Sequence, residues 1–200
     1  MARTDSRWAK SAVSVAVCTA LMWVGAAAAH DSNVPVSKAQ QSADVSSMRL
    51  QKVAADVYFV QGESALGSTA NRNFISNAGF VITNDSVVVI GALGSPALAE
   101  ELVKQIRTVT RKPISHVLLT HYHADHIYGL QVFAALGAKI VANEQAREYI
   151  NSETAHLRLE ASRKDLAPWV NGSTRMVPAS QWLTADSSQL TVGGVDFVLQ

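Results

Sequence analysis

The stretch Leu118 to His126, LLTHYHADH, gathers His121, His123, Asp125 and His126 into one short segment. Neutral imidazole and carboxylate are good ligands for Zn²⁺. In extended backbone, residues two apart point to the same side, so His121 and His123 can present both rings to one ion. Asp125 and His126 are adjacent and diverge, which suits a second ion beside the first. Three imidazoles so close gather positive charge as pH falls, a cost that metal binding removes. With six histidines in 200 residues, H-x-H-x-D-H arises by chance in roughly 2 of 10,000 such chains. The alternative is three surface histidines on a loop, with Asp125 as a helix cap. A purely structural zinc is disfavoured, because such sites are usually closed and rich in cysteine.

The elements around the motif must deliver it. Ile114 to Thr120 reads as a strand that ends just before His121, and Val87 to Ile90 is a continuous apolar run suited to a buried strand. Between them, Ser95 and Pro96 form a helix start, with the hydroxyl as N-cap and proline in the first turn. Leu98, Leu102, Ile106 and Val109 then recur as one apolar stripe. Strand, helix and strand make a βαβ unit. Val57 to Val60, Phe74 to Ser76 and Phe80 to Ile82 read as short strands, with a loop from Gln61 to Ala70. Leu130 to Leu136 reads as a short helix, Lys139 to Ala142 as a strand, and about Glu144 to Leu166 as one longer helical stretch. Gln189 to Val192, the turn Gly193-Gly194 and Val195 to Leu199 form a hairpin. The class is a layered α/β or α+β fold.

The first segment reads as an address rather than as fold. Arg3, Arg7 and Lys10 precede an apolar run from Ala12 to Ala29 that ends in four alanines, the layout of a secretory signal peptide over residues 1–29. The alternative is an uncleaved membrane anchor, because the run approaches spanning length. Residues 30–48, rich in Ser, Ala, Gln and Asp, read as a flexible mature N-terminus, with order beginning near Leu50 and one domain over 49–200. Export implies a periplasmic or secreted protein. Cys18, the one cysteine, lies inside the signal, so the mature chain offers no thiolate ligand.

Composition narrows the function further. A net charge of +1 leaves no basic footprint for nucleic acid. Aromatics at 6% are too sparse for a stacking platform. The expected partner is a small-molecule substrate, with no nucleic acid and no membrane after signal cleavage.

A buried strand feeding H-x-H-x-D-H and a helix resembles the metallo-β-lactamase superfamily, which includes class B β-lactamases and glyoxalase II. The resemblance covers roughly residues 50–200 and extends to Asn77-Ala78-Gly79-Phe80-Val81-Ile82 and to residues Val87 through Pro96. These stretches are similar to periplasmic metallo-hydrolases associated with quinoprotein oxidation systems. The resemblance implies an α+β fold, the αββα sandwich, with zinc where the sheets meet. It implies His121 and His123 as ligands of a first zinc, Asp125 and His126 as ligands of a second, and Asp125 as the residue that holds the attacking water or accepts its proton. The implied chemistry is zinc-assisted attack of water on an amide, ester or thioester carbonyl. A glyoxalase II-like thioesterase and a non-catalytic zinc-binding pseudoenzyme are the alternatives.

Two departures stand out. Where the family usually has an aspartate after the strand Val87 to Ile90, supporting the metal site from behind, this chain has Gly91. Loss of such a partner typically weakens metal affinity or activity by about 10- to 100-fold. The family's remaining ligands come from the C-terminal half, and after His126 this sequence offers only His156, in a helical stretch. The chain therefore reads as an incomplete copy, truncated where the next ligand loop would begin, and as marginal and association-prone on its own. His30 reads as a tail residue and His116 as a packed or edge histidine. Trp169 and Trp182 read as packing residues or as the mouth of a pocket.

Overall fold

A computed structural model describes residues 48–185 and 187–200. The segment read as a signal peptide and nearly all of the stretch read as a flexible N-terminus lie outside these residues. Met48, the last residue of that stretch, is buried and donates its N–H to Glu101 Oε1 at 3.0 Å.

Among the described residues, nine strands and five helices follow in the order β1 (Leu50–Ala54), β2 (Val57–Val60), β3 (Ala78–Ile82), β4 (Val87–Ile90), α1 (Pro96–Val109), β5 (Ile114–Leu118), α2 (Ala124–Ile127), α3 (Leu130–Ala135), β6 (Lys139–Asn143), α4 (Gln145–Ile150), α5 (Glu153–Asp165), β7 (Gln181–Leu183), β8 (Ser188–Val192) and β9 (Val195–Leu199). Strands β1 to β7 form one sheet in sequence order, antiparallel from β1 to β4 and parallel from β4 to β7. Strands β8 and β9 form a separate antiparallel pair.

Alternation along the central strands builds two cores. Val87 and Val89 of β4, Val117 of β5, and Ile140 and Ala142 of β6 point to the face that all five helices cover. Val88, Leu118 and Val141 point to the other face, where Val192 is buried and Leu190, Phe197 and Leu199 pack against them. Burial on both faces is why β4 is apolar at every position. The described residues thus supply a helical layer, a large sheet and a two-stranded sheet on its far side, an α+β arrangement that corresponds to the first three layers of an αββα sandwich.

The turn between β8 and β9 needs left-handed backbone at both central residues, and Gly193 (φ +53°) and Gly194 (φ +81°) provide it. Its tip meets the β3–β4 turn, where Asn84 donates its N–H to the Gly193 carbonyl at 3.0 Å.

Several elements depart from the sequence reading. Phe74 to Ser76 is not a strand: that segment is irregular, and strand pairing starts at Ala78. The stretch from Glu144 to Leu166 is two helices, broken at Asn151-Ser152, because the Ser152 hydroxyl caps a new helix by accepting from Ala155 N–H at 3.1 Å. Strands β1 and β7 were not anticipated. They are the two edges of the sheet, and β1 is mostly exposed, so it carries no apolar run. The helix start at Ser95-Pro96 is as read, with the Ser95 hydroxyl accepting from Leu98 N–H at 3.3 Å.

Candidate metal centre

The four motif residues come together at the carboxyl end of the parallel strands, the edge at which open α/β sheets place their ligands. Strand β5 ends at Leu118, and Leu119 stays tied to the sheet by donating to the Val141 carbonyl at 2.9 Å. The chain then runs through His121 and His123 into α2, which carries Asp125 and His126. The rings of His121 and His126 have centroids 4.1 Å apart, and those of His121 and His123 lie 4.7 Å apart, nearly edge to face. Asp125 Oδ2 lies 3.4 Å from His126 Nε2.

Desolvation bears on two of these rings, although His121 is more open to solvent than the half-buried His126. Desolvation, and then the neighbouring His123, hold the His121 pKa below the ordinary imidazole value, against a smaller opposing pull from Asp125. Desolvation is also the largest influence on His126 and lowers its pKa, with Asp125 pulling the other way. Both rings therefore favour the neutral form that a cation requires. His121 Nδ1 shares a hydrogen bond with the Thr120 hydroxyl at 3.0 Å, whereas His126 Nδ1 is buried without a hydrogen-bond partner.

By type and neighbourhood this donor set fits a divalent cation. His126 Nε2 lies beside the Asp125 carboxylate, and its ring beside that of His121, while the buried Nδ1 on the Gly91 side is left without a partner, which is costly. As the side chains stand, no group of three or more His, Cys, Asp or Glu among the described residues is set to hold an ion together. The rings lie close enough to share a neighbourhood, and their donor atoms must turn to meet a common one.

The remaining candidates lie elsewhere. His156 is exposed on α5 and joins no part of the cluster. His116 sits inside β5, half-buried, with Nδ1 hydrogen-bonded to the Ser115 hydroxyl at 2.9 Å, and burial lowers its pKa first, the facing Lys139 second. Trp169 packs, donating from Nε1 to the Thr69 carbonyl at 2.8 Å, and Trp182 lies under the Arg147 guanidinium at 4.9 Å. A shallow cavity of about 630 Å³ between Asn143, Glu144, Arg147, Glu148 and Leu183 includes neither tryptophan and none of the four motif residues.

What sequence reasoning missed is how α2 is held. A four-residue helix cannot satisfy its own last carbonyls. The Asp125 carbonyl accepts from the hydroxyl of Ser76, in the loop between β2 and β3, and the His126 carbonyl accepts from Ala92 N–H at 3.1 Å. Gly129 N–H adds a bond to the Leu93 carbonyl at 3.2 Å. No local signal marks Ser76; its partner is 49 positions away.

The fold and this cluster define a layered α+β protein carrying imidazole and carboxylate groups at the strand ends of a mixed sheet. Residues 71–194, more than half of the chain, match the model of the metallo-β-lactamase superfamily. The chain belongs to that superfamily. Its fold is similar to a metallo-β-lactamase from Pontibacter korlensis (18% identity, TM-score 0.50), covering 74% of this chain and 58% of that one. A metallo-β-lactamase from Hirschia baltica gives 17% identity and TM-score 0.51 with the same coverage. The sec-alkylsulfatase Pisa1 from Pseudomonas sp. gives 17% and 0.55, covering 76% of this chain and 27% of that one. At these identities the likeness is one of fold. The chain spans little more than half the length of the β-lactamases it matches.

Proposed function

We propose that the chain carries the metal-binding portion of an exported zinc hydrolase acting on carbonyl substrates, such as β-lactams, esters or thioesters. One observation carries the reading: three imidazoles and a carboxylate, from one loop and one short helix, cluster at the carboxyl edge of the sheet in a chain of this superfamily. His121 and His123 are assigned to one cation, and Asp125 and His126 to a second. Zinc bound there would supply Lewis acidity and make a water acidic enough to ionise near neutral pH.

The chain's own residues do the rest. Low pKa values keep His121 and His126 available as neutral donors. Asp125 Oδ2, 3.4 Å from His126 Nε2, is assigned the holding of the attacking water and the acceptance of its proton, an acid–base role that needs contact within hydrogen-bond reach. Export rests on the basic start and the alanine-rich apolar run before His30, and N-terminal sequencing of the protein from a periplasmic extract tests it.

A second reading, a zinc-binding protein without turnover, is favoured by the unpartnered Nδ1 of His126 facing Gly91. Zinc content measured beside turnover of nitrocefin, a p-nitrophenyl ester and an S-acyl glutathione separates the two. Zinc with turnover supports the hydrolase, zinc without turnover supports the second reading, and neither zinc nor turnover defeats both.

A further inference from the structure

We infer that Ser76 is a positioning residue for the Asp125–His126 pair, its hydroxyl acting as a long-range cap that fixes the short helix on which both sit; this rests on the metal-binding reading above. Helix α2 spans only Ala124–Ile127 and closes a single intrahelical turn, Tyr128 N–H to the Ala124 carbonyl at 3.2 Å. Such a helix has negligible stability of its own, because nucleation costs more than one turn returns. Its orientation must come from outside, through the carbonyls it leaves unsatisfied.

Two groups take those carbonyls. Ala92 N–H serves His126, and the Ser76 hydroxyl serves Asp125. The Ala92 contact is backbone and independent of side-chain identity. The Ser76 contact needs a hydroxyl, and it is made to the residue assigned the proton-handling role. Ser76 is itself 4% exposed, so water cannot replace the hydroxyl without rearrangement.

The surrounding loop is shaped to present it. A Cβ at Gly62 would meet the Ser76 carbonyl oxygen at 2.5 Å and the Ser76 nitrogen at 2.8 Å, so that segment lies directly on a glycine. Gly62 N–H is in turn held by Asn77 Oδ1 at 3.1 Å. The β2–β3 loop therefore clamps the backbone on either side of Ser76 and aims its hydroxyl at α2. A side chain at position 62 would push Ser76 away and break the same bond.

The test compares the parent chain with Ser76→Ala, Ser76→Thr and Ser95→Ala, the last a buried N-cap serine on α1 whose hydroxyl bonds Leu98 N–H and the Arg72 carbonyl, not α2. In metal-free protein, amide exchange at Tyr128 reads the integrity of α2. It is expected to rise tenfold or more in Ser76→Ala relative to Ser95→Ala and to recover in Ser76→Thr. Zinc titration against a chromophoric chelator should show the affinity of the Asp125–His126 site falling about 10- to 100-fold in Ser76→Ala, as for other groups that orient a ligand, with no fall in Ser95→Ala. Equal exchange at Tyr128 in the two alanine variants, or unchanged zinc affinity in Ser76→Ala, overturns the proposal. A parent that takes up no zinc sinks the metal reading, and the exchange rates then decide alone whether Ser76 holds α2.

Discussion

Gly91 faces the unpartnered nitrogen of His126: a Cβ built on Gly91 would lie 3.7 Å from His126 Nδ1 and 3.2 Å from the Asn77 carbonyl oxygen. The sequence marked Gly91 as the place where the family usually has a carboxylate, and the geometry shows what the glycine leaves undone. A ring nitrogen buried without an acceptor does not have its tautomer or orientation fixed by a second hydrogen bond.

Gly91→Asn and Gly91→Asp should therefore tighten cation binding, by about tenfold, because each brings an acceptor toward Nδ1. Backbone at Gly91 has φ +77°, where Asn and Asp are the best tolerated residues after glycine. Gly91→Ala brings the Cβ and the strain without the acceptor. It should lose about 1 kcal/mol of stability and gain no affinity. Chelator competition and thermal melts of the three variants check this, and a tightening in Gly91→Ala equal to that in Gly91→Asp would defeat the account.

Single replacements His121→Ala, His123→Ala, Asp125→Asn and His126→Ala should each reduce zinc affinity by more than the roughly 10- to 100-fold expected for a supporting group. In metal-free protein His121→Ala should cost no stability. His121 is exposed and crowds His126, with ring centroids 4.1 Å apart. Melting curves in the presence of a chelator, compared with zinc titrations, separate ligand loss from misfolding.

Gly129→Ala should be among the most disruptive small changes in the chain. The added methyl would fall 1.9 Å from the Ala92 carbonyl oxygen and 2.7 Å from the Ala99 Cβ. A backbone carbonyl cannot step aside, so α1 and the start of α3 must separate, at about 3 kcal/mol. Because Ala92 also holds the His126 carbonyl, the zinc affinity of the folded fraction should drop as well. A denaturant midpoint within error of the parent would contradict this.

His116 supplies a pH dependence that is independent of metal. Burial, and then the cross-strand Lys139, lower its pKa below 6.5 in the folded chain. Below that pH the unfolded chain binds the extra proton more readily, so this contribution to stability is complete above pH 6.5 and is lost as pH falls toward the folded value. His116→Gln should show a shallower loss of stability between pH 7 and pH 5 than the parent, read from urea midpoints across that range. Parallel curves would show that His116 carries none of the slope.

Much of the chain's organisation was written in local pattern. Val87 to Ile90 is apolar at every position because both faces of β4 are covered. The stripe on α1, its Ser95-Pro96 start and the paired glycines of the β8–β9 turn each follow from spacing or backbone freedom within a few residues. The H-x-H-x-D-H run is legible for the same reason: one strand end and the next helical turn supply all four side chains of the cluster, so they are adjacent in sequence.

Tertiary structure decided what local pattern cannot encode. Edge strands β1 and β7 exist because neighbours offer them hydrogen bonds, and their own residues carry little apolar signal. Ser152 and Ser76 look alike in sequence, yet one caps the helix that begins beside it and the other caps a helix 49 residues on. Whether His126 has a partner depends on how the turn after β4 meets α2, not on either segment alone. Residue type and short spacing gathered imidazole and carboxylate at one strand end; contacts between segments far apart in the chain set the orientation of those groups.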